Sequence, residues 1–479
     1  MHPSINQAHP EAMNPHHPAF AILEQGVAQG AFTAWSCANT RGAMSCFFAD
    51  ERPAAFAPGH GAAALPLPTH PIFDLASLTK PLFLNLFLRL HLTDPALCNT
   101  PLLALLEKRT EIGEFLISQL AAKHSQLSLL DFLNHATGAK PWFWMGKGLW
   151  LHKDFPQSDR AETRYGDSHS ASAVHYASQL ITSKAMLDLR TQKSPQLYSD
   201  LNYFLLARIL ENLPAPIAVT NWNHALHSLN EILGTSFFHA SLSRIMKTTA
   251  VPFYPYVVSH NRDSHWEDKF SESFGPVHDT NANILASLGK SEGLVSGHAG
   301  LFGNIVDVCK AVQKMSLLQP QCMNSWEKNS NPLADKPRFV CGLDTASSEA
   351  SAAGLKQWPL PHGEQILGHL GYTGTSFWMN AREEHPDFQV LLTNRTAHRT
   401  SLGSVKIPRL LCTTDFVSGE SKYFLVNKKS DHKEIQEEEY LATIETSHGY
   451  ASILWNRDRF EKPANILQIR REVGKSLWR

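Results

Sequence analysis

The sequence predicts a mixed α/β (α+β) protein, and three observations carry that prediction. Short alternating stretches lie early, at residues 31–38 and 43–49. Helix-period segments fill the middle of the chain, and alternating stretches return at residues 377–380 and 388–393. The 479 residues are 43% hydrophobic and 18% charged, the balance of a folded globular protein with room for one large domain or two or three smaller ones. A net charge of −1 gives no electrostatic case for nucleic acid or an anionic membrane. No apolar run reaches the ~18 residues that span a bilayer. The longest, residues 82–92, is broken by Asn85, Arg89 and His91.

In chain order, residues 1–18 read as a disordered tail with neither a basic nor an apolar signal region, so the chain is expected to be cytoplasmic. Residues 19–30 have helical periodicity, and 31–38 with 43–49 form a strand pair around the turn 39–42. A buried helix follows Ser77. Further helices occupy 100–135 and end near Gly138. Residues 139–196 have poor periodicity and read as a long, partly irregular insertion. Residues 201–213 form a helix stopped by Pro214 and Pro216. Residues 276–303 are Gly-rich and loop-like before a helix from about Ile305. Residues 400–462 read as a charged surface insertion, and a last helix covers 464–477. The seven scattered cysteines, with no C-x-x-C, are expected to be reduced core residues. No zinc spacing appears, and no metal or cofactor is expected.

Chemistry enters at Phe73-Asp74-Leu75-Ala76-Ser77-Leu78-Thr79-Lys80-Pro81. Ser77 and Lys80 are one helical turn apart and face the same way. A serine hydroxyl is a weak nucleophile until a neighbour takes its proton, which a partly desolvated lysine can do. Ser-x-x-Lys occurs four times, at Ser77, Ser287, Ser325 and Ser430. Only the first leads into a nearly all-apolar helix. Pro81 is tolerated only in a first helical turn, so it pins the helix start at Ser77 or Leu78 and puts Ser77 at the positive end of the dipole. The second piece is Tyr198-Ser199-Asp200 at the entrance of the 201–213 helix. The third is His369-Leu370-Gly371-Tyr372, a Gly-rich strand edge that lets a ligand approach the backbone.

In this order the three pieces resemble the Ser-x-x-Lys, Tyr-x-Asn and Lys-Thr-Gly elements of the class C β-lactamase-like serine hydrolases, which include penicillin-binding peptidases, D-aminopeptidases and related esterases. Residues 277–282, 293–302 and 391–395 read the same way. The resemblance covers about residues 20–395. It implies a β-lactamase/transpeptidase-like fold: an antiparallel sheet flanked by helices, formed by residues 19–76 with 276–479, and an inserted helical domain at 77–275. It also implies an acyl-enzyme on Ser77, proton work shared by Lys80 and Tyr198, and an oxyanion hole from the backbone N–H groups of Ser77 and Tyr372, with Asp200, His369 and Gly371 lining the substrate site. The expected substrate is a small molecule or peptide with an ester, amide or β-lactam carbonyl.

Two departures from the family pattern matter. Asp200 replaces asparagine and should hold Lys80 cationic and shift proton acceptance toward Tyr198, with the choice of base between Lys80 and Tyr198 left open by the sequence. His369 replaces lysine and, as a mostly neutral imidazole, should anchor a substrate carboxylate weakly, more strongly as pH falls toward about 6. The second favours an esterase or D-amino-acid peptidase or amidase over an efficient β-lactamase. The alternative is a catalytically silent binding or scaffold protein of the same fold.

Overall fold

The structure, a computed structural model, describes residues 13–49, 70–92, 94–143, 145, 171–187, 189, 195–242, 277–286, 293–327, 338–345, 353, 366–380, 387–395, 397–399, 408–426, 432–446, 453–455 and 466–478. Its centre is a ten-stranded antiparallel sheet. The strand order is His432–Ile435, Ser421–Val426, Arg409–Asp415, Gly42–Phe48, Trp35–Asn39, Phe388–Thr393, Ser376–Asn380, Ile366–Leu370, Leu343–Thr345 and Phe339–Val340. An antiparallel sheet drawn from the N-terminal strands and the C-terminal third, with helices around it, is the architecture the resemblance implies.

Alternation within these strands feeds two cores, because successive side chains point to opposite faces. Trp35, Cys37, Met44, Cys46, Leu391 and Leu411 meet Phe20 and Leu23 of the helix Pro18–Ala28 and Ile469 and Val473 of the helix Ile466–Leu477. Ala38, Ala43, Phe47, Val390, Leu392 and Leu410 face the other way, into the larger cluster with Val308, Val312 and Met315 of the helix Ile305–Glu327. The helix after Ser77 begins as a 3-10 turn at Ala76–Leu78, widens into a π-helix at Lys80–Asn85 and closes as α at Leu86–His91. Pro81, lacking an N–H, sits in that first wide turn, where π geometry replaces the ordinary ladder.

Several expectations need correcting. Within the supposed tail, Met13 is buried against the first core, and His17 is buried and caps the first helix by accepting from the Ala19 N–H at 3.2 Å; residues 1–12 lie outside the described residues. The 139–196 segment contains a 17-residue helix, Ala171–Leu187. The Gly-rich 276–303 segment holds the helix Thr280–Ala286 and the strand Leu301–Gly303. Most consequentially, the described strands within 400–462 are part of the central sheet rather than a surface insertion. Arg409–Asp415 pairs with Gly42–Phe48 along its length and Ser421–Val426 and His432–Ile435 add to it. These outer strands carry polar residues on exposed positions, which hid Leu411 and Phe424 reaching one core and Tyr423 and Ile435 reaching the other. Five cysteines are free and buried as expected, but Cys341 is disulfide-bonded. Cysteine usage therefore no longer speaks for a reducing compartment. Among the described residues, no helix is long and apolar enough to cross a membrane.

Candidate active site

Ser77 is presented by backbone that many contacts hold. The short strand Phe73–Asp74 pairs with Leu301–Gly303. The chain then turns through Ala76 at φ 47°, a left-handed conformation that costs a non-glycine residue about 1 kcal/mol or more. Both oxygens of the buried Asp74 carboxylate support the turn, one accepting from Ala76 N–H at 2.8 Å and the other from His278 N–H at 2.7 Å. Thr79 Oγ1 donates to the Ala76 carbonyl at 2.6 Å and accepts from Leu301 N–H at 3.1 Å. From His70 to Leu88 every residue is buried except Ser77. The fold brings one hydroxyl to an opening and seals its neighbours.

The third motif packs on the same turn. Thr373 Oγ1 donates to the Asp74 carbonyl at 2.9 Å, and Thr375 Oγ1 to the Leu75 carbonyl at 3.3 Å. A Cβ on Gly371 would lie 3.0 Å from the Leu75 carbonyl oxygen and 2.0 Å from Thr375 Oγ1, so glycine permits this approach. The buried Arg470 of the last helix clasps the turn from behind, donating to the Thr375 carbonyl at 2.7 Å. Tyr372, at the tip, is 46% exposed.

Lys80 is fully buried, and its Nζ is the hub. It lies 3.1 Å from Ser77 Oγ, 2.7 Å from Tyr198 OH, 2.7 Å from Asp200 Oδ1 and 3.2 Å from the His298 carbonyl. Tyr198 OH is in turn 2.9 Å from Ser77 Oγ. Burial favours the neutral amine, but the Asp200 carboxylate and Tyr198 outweigh it and hold Lys80 above its ordinary range. Burial also pushes Tyr198 up, more than the Lys80 ammonium pulls it down. At neutral pH the pair therefore carries both protons. The sequence reading of a cationic Lys80 agrees with this; the phenolate that would accept the Ser77 proton is the minor form.

His369 is buried, with its ring 6.0 Å from that of Tyr198 and its Nδ1 2.9 Å from the Leu370 carbonyl. Burial, then Lys80, push its pKa down to about 3. It is neutral well below pH 6, which corrects the expectation that it gains charge toward pH 6. His135 is held neutral in the same way, its ring 4.7 Å from that of Tyr198.

Sequence reasoning gave no role to several groups found here. Asp74, Thr373, Thr375 and Arg470 shape the nucleophile turn. Asp279 and His298, from the 277–282 and 293–302 segments, stand behind Lys80, with His298 Nε2 3.0 Å from Asp279 Oδ1. Both stood in segments that carried the family resemblance, but nothing in their local sequence set them apart. Ligand atoms of Asp200, Asp279 and His298 fall within 4.8 Å of one another, the donor set of a divalent cation. The Lys80 ammonium already pairs with Asp200 and His298 with Asp279, so the cluster's charges are met internally.

No family model matches the chain, and no curated protein matches it. Among solved structures it is similar to a class C β-lactamase from Rhodobacter sphaeroides, at 13% identity over 79% of this chain and 93% of that one, with TM-score 0.42. EstCE1, a hydrolase with promiscuous acyltransferase activity, matches at 15% identity over 78% and 92%, TM-score 0.44. The octameric penicillin-binding protein homologue from Pyrococcus abyssi matches at 11% over 88% and 96%, TM-score 0.42. At such identities and scores, what Ser77 can do has to be read from its own surroundings.

Proposed function

We propose that this chain is a serine hydrolase that opens an ester or amide carbonyl through an acyl-enzyme on Ser77. The observation that carries the reading is the meeting of Ser77 Oγ with both Lys80 Nζ at 3.1 Å and Tyr198 OH at 2.9 Å, at the one opening in a buried run. Residues over a hundred positions apart converge on that hydroxyl, as a nucleophile with its proton acceptors requires.

In the reactive form the Lys80–Tyr198 pair has lost one proton. Asp200 keeps Lys80 cationic, so Tyr198 is the phenolate and takes the Ser77 proton as Oγ attacks the carbonyl carbon. Lys80, donating to the phenolate, limits the cost of that charge. The tetrahedral oxyanion is met by the backbone N–H groups of Ser77 and Tyr372, at the helix start and on the Gly371 turn. Tyr198 returns the proton to the leaving alkoxide or amine, and a water repeats the sequence to free the acid and restore Ser77.

A neutral, partly apolar substrate fits best. His369 carries no charge, and Tyr372 and Leu197, each chain neighbours of site residues, are 46% and 47% exposed. A D-amino-acid peptidase or amidase is the second reading, favoured by Arg395, whose guanidinium lies 5.2 Å from the Tyr372 ring centroid as a cation for a substrate carboxylate. The test is fluorophosphonate labelling with peptide mapping, then hydrolysis of p-nitrophenyl esters, nitrocefin, D-amino-acid amides and D-Ala-D-Ala peptides. An adduct on Ser77 and ester turnover exceeding nitrocefin turnover are expected. No adduct at any pH would leave a silent scaffold of the same fold.

A further inference from the structure

Behind Lys80 lies a second charged pair that the proposed reaction does not use. Gly297, at φ 73°, brings it there: a Cβ at that position would lie 2.3 Å from the Tyr203 carbonyl oxygen, so only glycine lets this turn press against the helix Asp200–Leu210. His298 follows, 1% exposed. Its carbonyl accepts from Lys80 Nζ at 3.2 Å. Its two ring nitrogens each face an oxygen that can only accept: Nδ1 is 3.3 Å from the Ser296 carbonyl and Nε2 is 3.0 Å from Asp279 Oδ1. A neutral imidazole has one N–H and would set a lone pair against one of those oxygens. Only the doubly protonated ring satisfies both contacts.

We propose that His298 and Asp279 are positioning residues, a buried imidazolium–carboxylate pair that sets the proton affinity of the Lys80–Tyr198 pair through Asp200. This rests on the reading of Ser77 as the nucleophile. Four charges then meet in one cluster: the buried Lys80 and His298 positive, the partly exposed Asp200 and Asp279 negative. The same Asp279 Oδ1 also accepts from Ala282 N–H at 2.8 Å. Burial opposes the ion pair, but Asp279 and Asp200 hold His298 above its ordinary pKa, and His298 draws Asp279 down to about 2. The other titratable groups facing Lys80 are Tyr198, Tyr203, His135 and His369, and His239 faces His298. Burial keeps the three histidines neutral and Tyr203 protonated. His298 and Asp279 are thus the charged pair, beyond Asp200, positioned to move the proton on Lys80 and Tyr198.

The two members act in opposite directions. The imidazolium repels the proton on Lys80, and the Asp279 carboxylate attracts it. Removing His298 leaves an uncompensated carboxylate, so the Lys80–Tyr198 pair should hold its proton to higher pH. Removing the Asp279 charge also removes the main support that keeps His298 protonated against burial, so both charges are lost together and the proton should leave close to the wild-type pH.

The experiment is the pH profile of the rate at which a fluorophosphonate labels Ser77 in the full chain. His298→Gln should raise the midpoint of the alkaline rise by about half to one unit, and Asp279→Asn, which loses both charges, should leave it within a few tenths of a unit. The double variant should return to within a few tenths of a unit of wild type. A His298→Gln midpoint that does not rise, an Asp279→Asn midpoint that moves as far, or a double variant that fails to return would overturn the inference while Ser77 labelling left the hydrolase reading standing. Circular dichroism checks that each variant folds. Independently of activity, 15N-histidine NMR of the wild-type protein, with the Asp279→Asn spectrum as the comparison, should show one buried histidine protonated at both nitrogens at pH 7. A spectrum in which every buried histidine is neutral overturns the inference even if no variant folds or no label binds.

Discussion

Among the described residues, Ser77 and Ser45 each lie beside a lysine or histidine side chain, and only Ser77 sits at an opening. Ser77 Oγ is 3.1 Å from Lys80 Nζ. Ser45 Oγ, on a central strand, is closer still to its base, 2.7 Å from His70 Nδ1. The Ser45 contact belongs to a chain of hydroxyls: Ser36 Oγ at 2.5 Å on one side, and His70 Nε2 to Thr414 Oγ1 to Ser421 Oγ, each 2.8 Å, on the other. Ser36 and Ser45 are fully buried and His70 nearly so, and burial pushes His70 down to about 4. That chain is neutral and satisfied, and it ties Gly42–Phe48 to Arg409–Asp415. The Ser77 cluster is charged, has two proton carriers and opens to solvent. A serine beside a base is therefore not yet a nucleophile. The difference lies in the opening, in a second proton carrier and in carboxylates that hold the base in place.

The sharpest way to break this comparison is to remove each serine. Ser77→Ala should reduce ester hydrolysis and fluorophosphonate labelling to background, while Ser45→Ala should label at the wild-type rate. An adduct mapped to Ser45 would reverse the assignment. Next in size, Tyr198→Phe should cost about 10²–10⁴-fold in kcat with a smaller change in KM, because the missing proton acceptor acts in the transition state. A variant within a few-fold of wild type would reduce Tyr198 to a packing residue beside His135.

The neutral chain is tested by stability. His70 has a folded pKa of about 4 against an unfolded value near 6.5, so its contribution is present above pH 6.5 and lost as pH falls toward 4. The full shift corresponds to about 3 kcal/mol. Denaturant midpoints at pH 7 and pH 4.5 should therefore differ less in His70→Asn than in wild type. An unchanged difference would mean that other groups carry the acid sensitivity. On the charged side, Asp200→Asn removes the carboxylate that keeps Lys80 protonated, and the alkaline rise in labelling should move down by about one pH unit. The smallest effect expected is a flat line. With His369 at about 3, the ratio of kcat/KM for an anionic over a neutral ester should not climb between pH 8 and pH 5. A climb would mean that an imidazole near the substrate gains charge in that range.

How far the site was legible follows from the range of the forces involved. Pro81 and the apolar run behind it marked the start of the buried helix, and Tyr198 with Asp200 stood visibly at the entrance of the next one. Both signals are local, since helix starts and apolar faces depend on residues within a turn or two. The strand pair at residues 35–48 and the strands at 376–393 were readable for the same reason. The outer strands at 409–435 were not, because a half-exposed edge dilutes its alternation with polar residues and its pairing to Gly42–Phe48 spans more than 360 positions.

By itself the sequence determined which serine leads a buried helix and which tyrosine opens another. Only the tertiary structure decided the protonation states. Burial and the company of Lys80 make His369 neutral. Two acceptors around one ring mark His298 as an imidazolium. Cys341 found its disulfide only in the folded chain. Charge depends on distance and dielectric in three dimensions, and residue spacing along the chain carries neither.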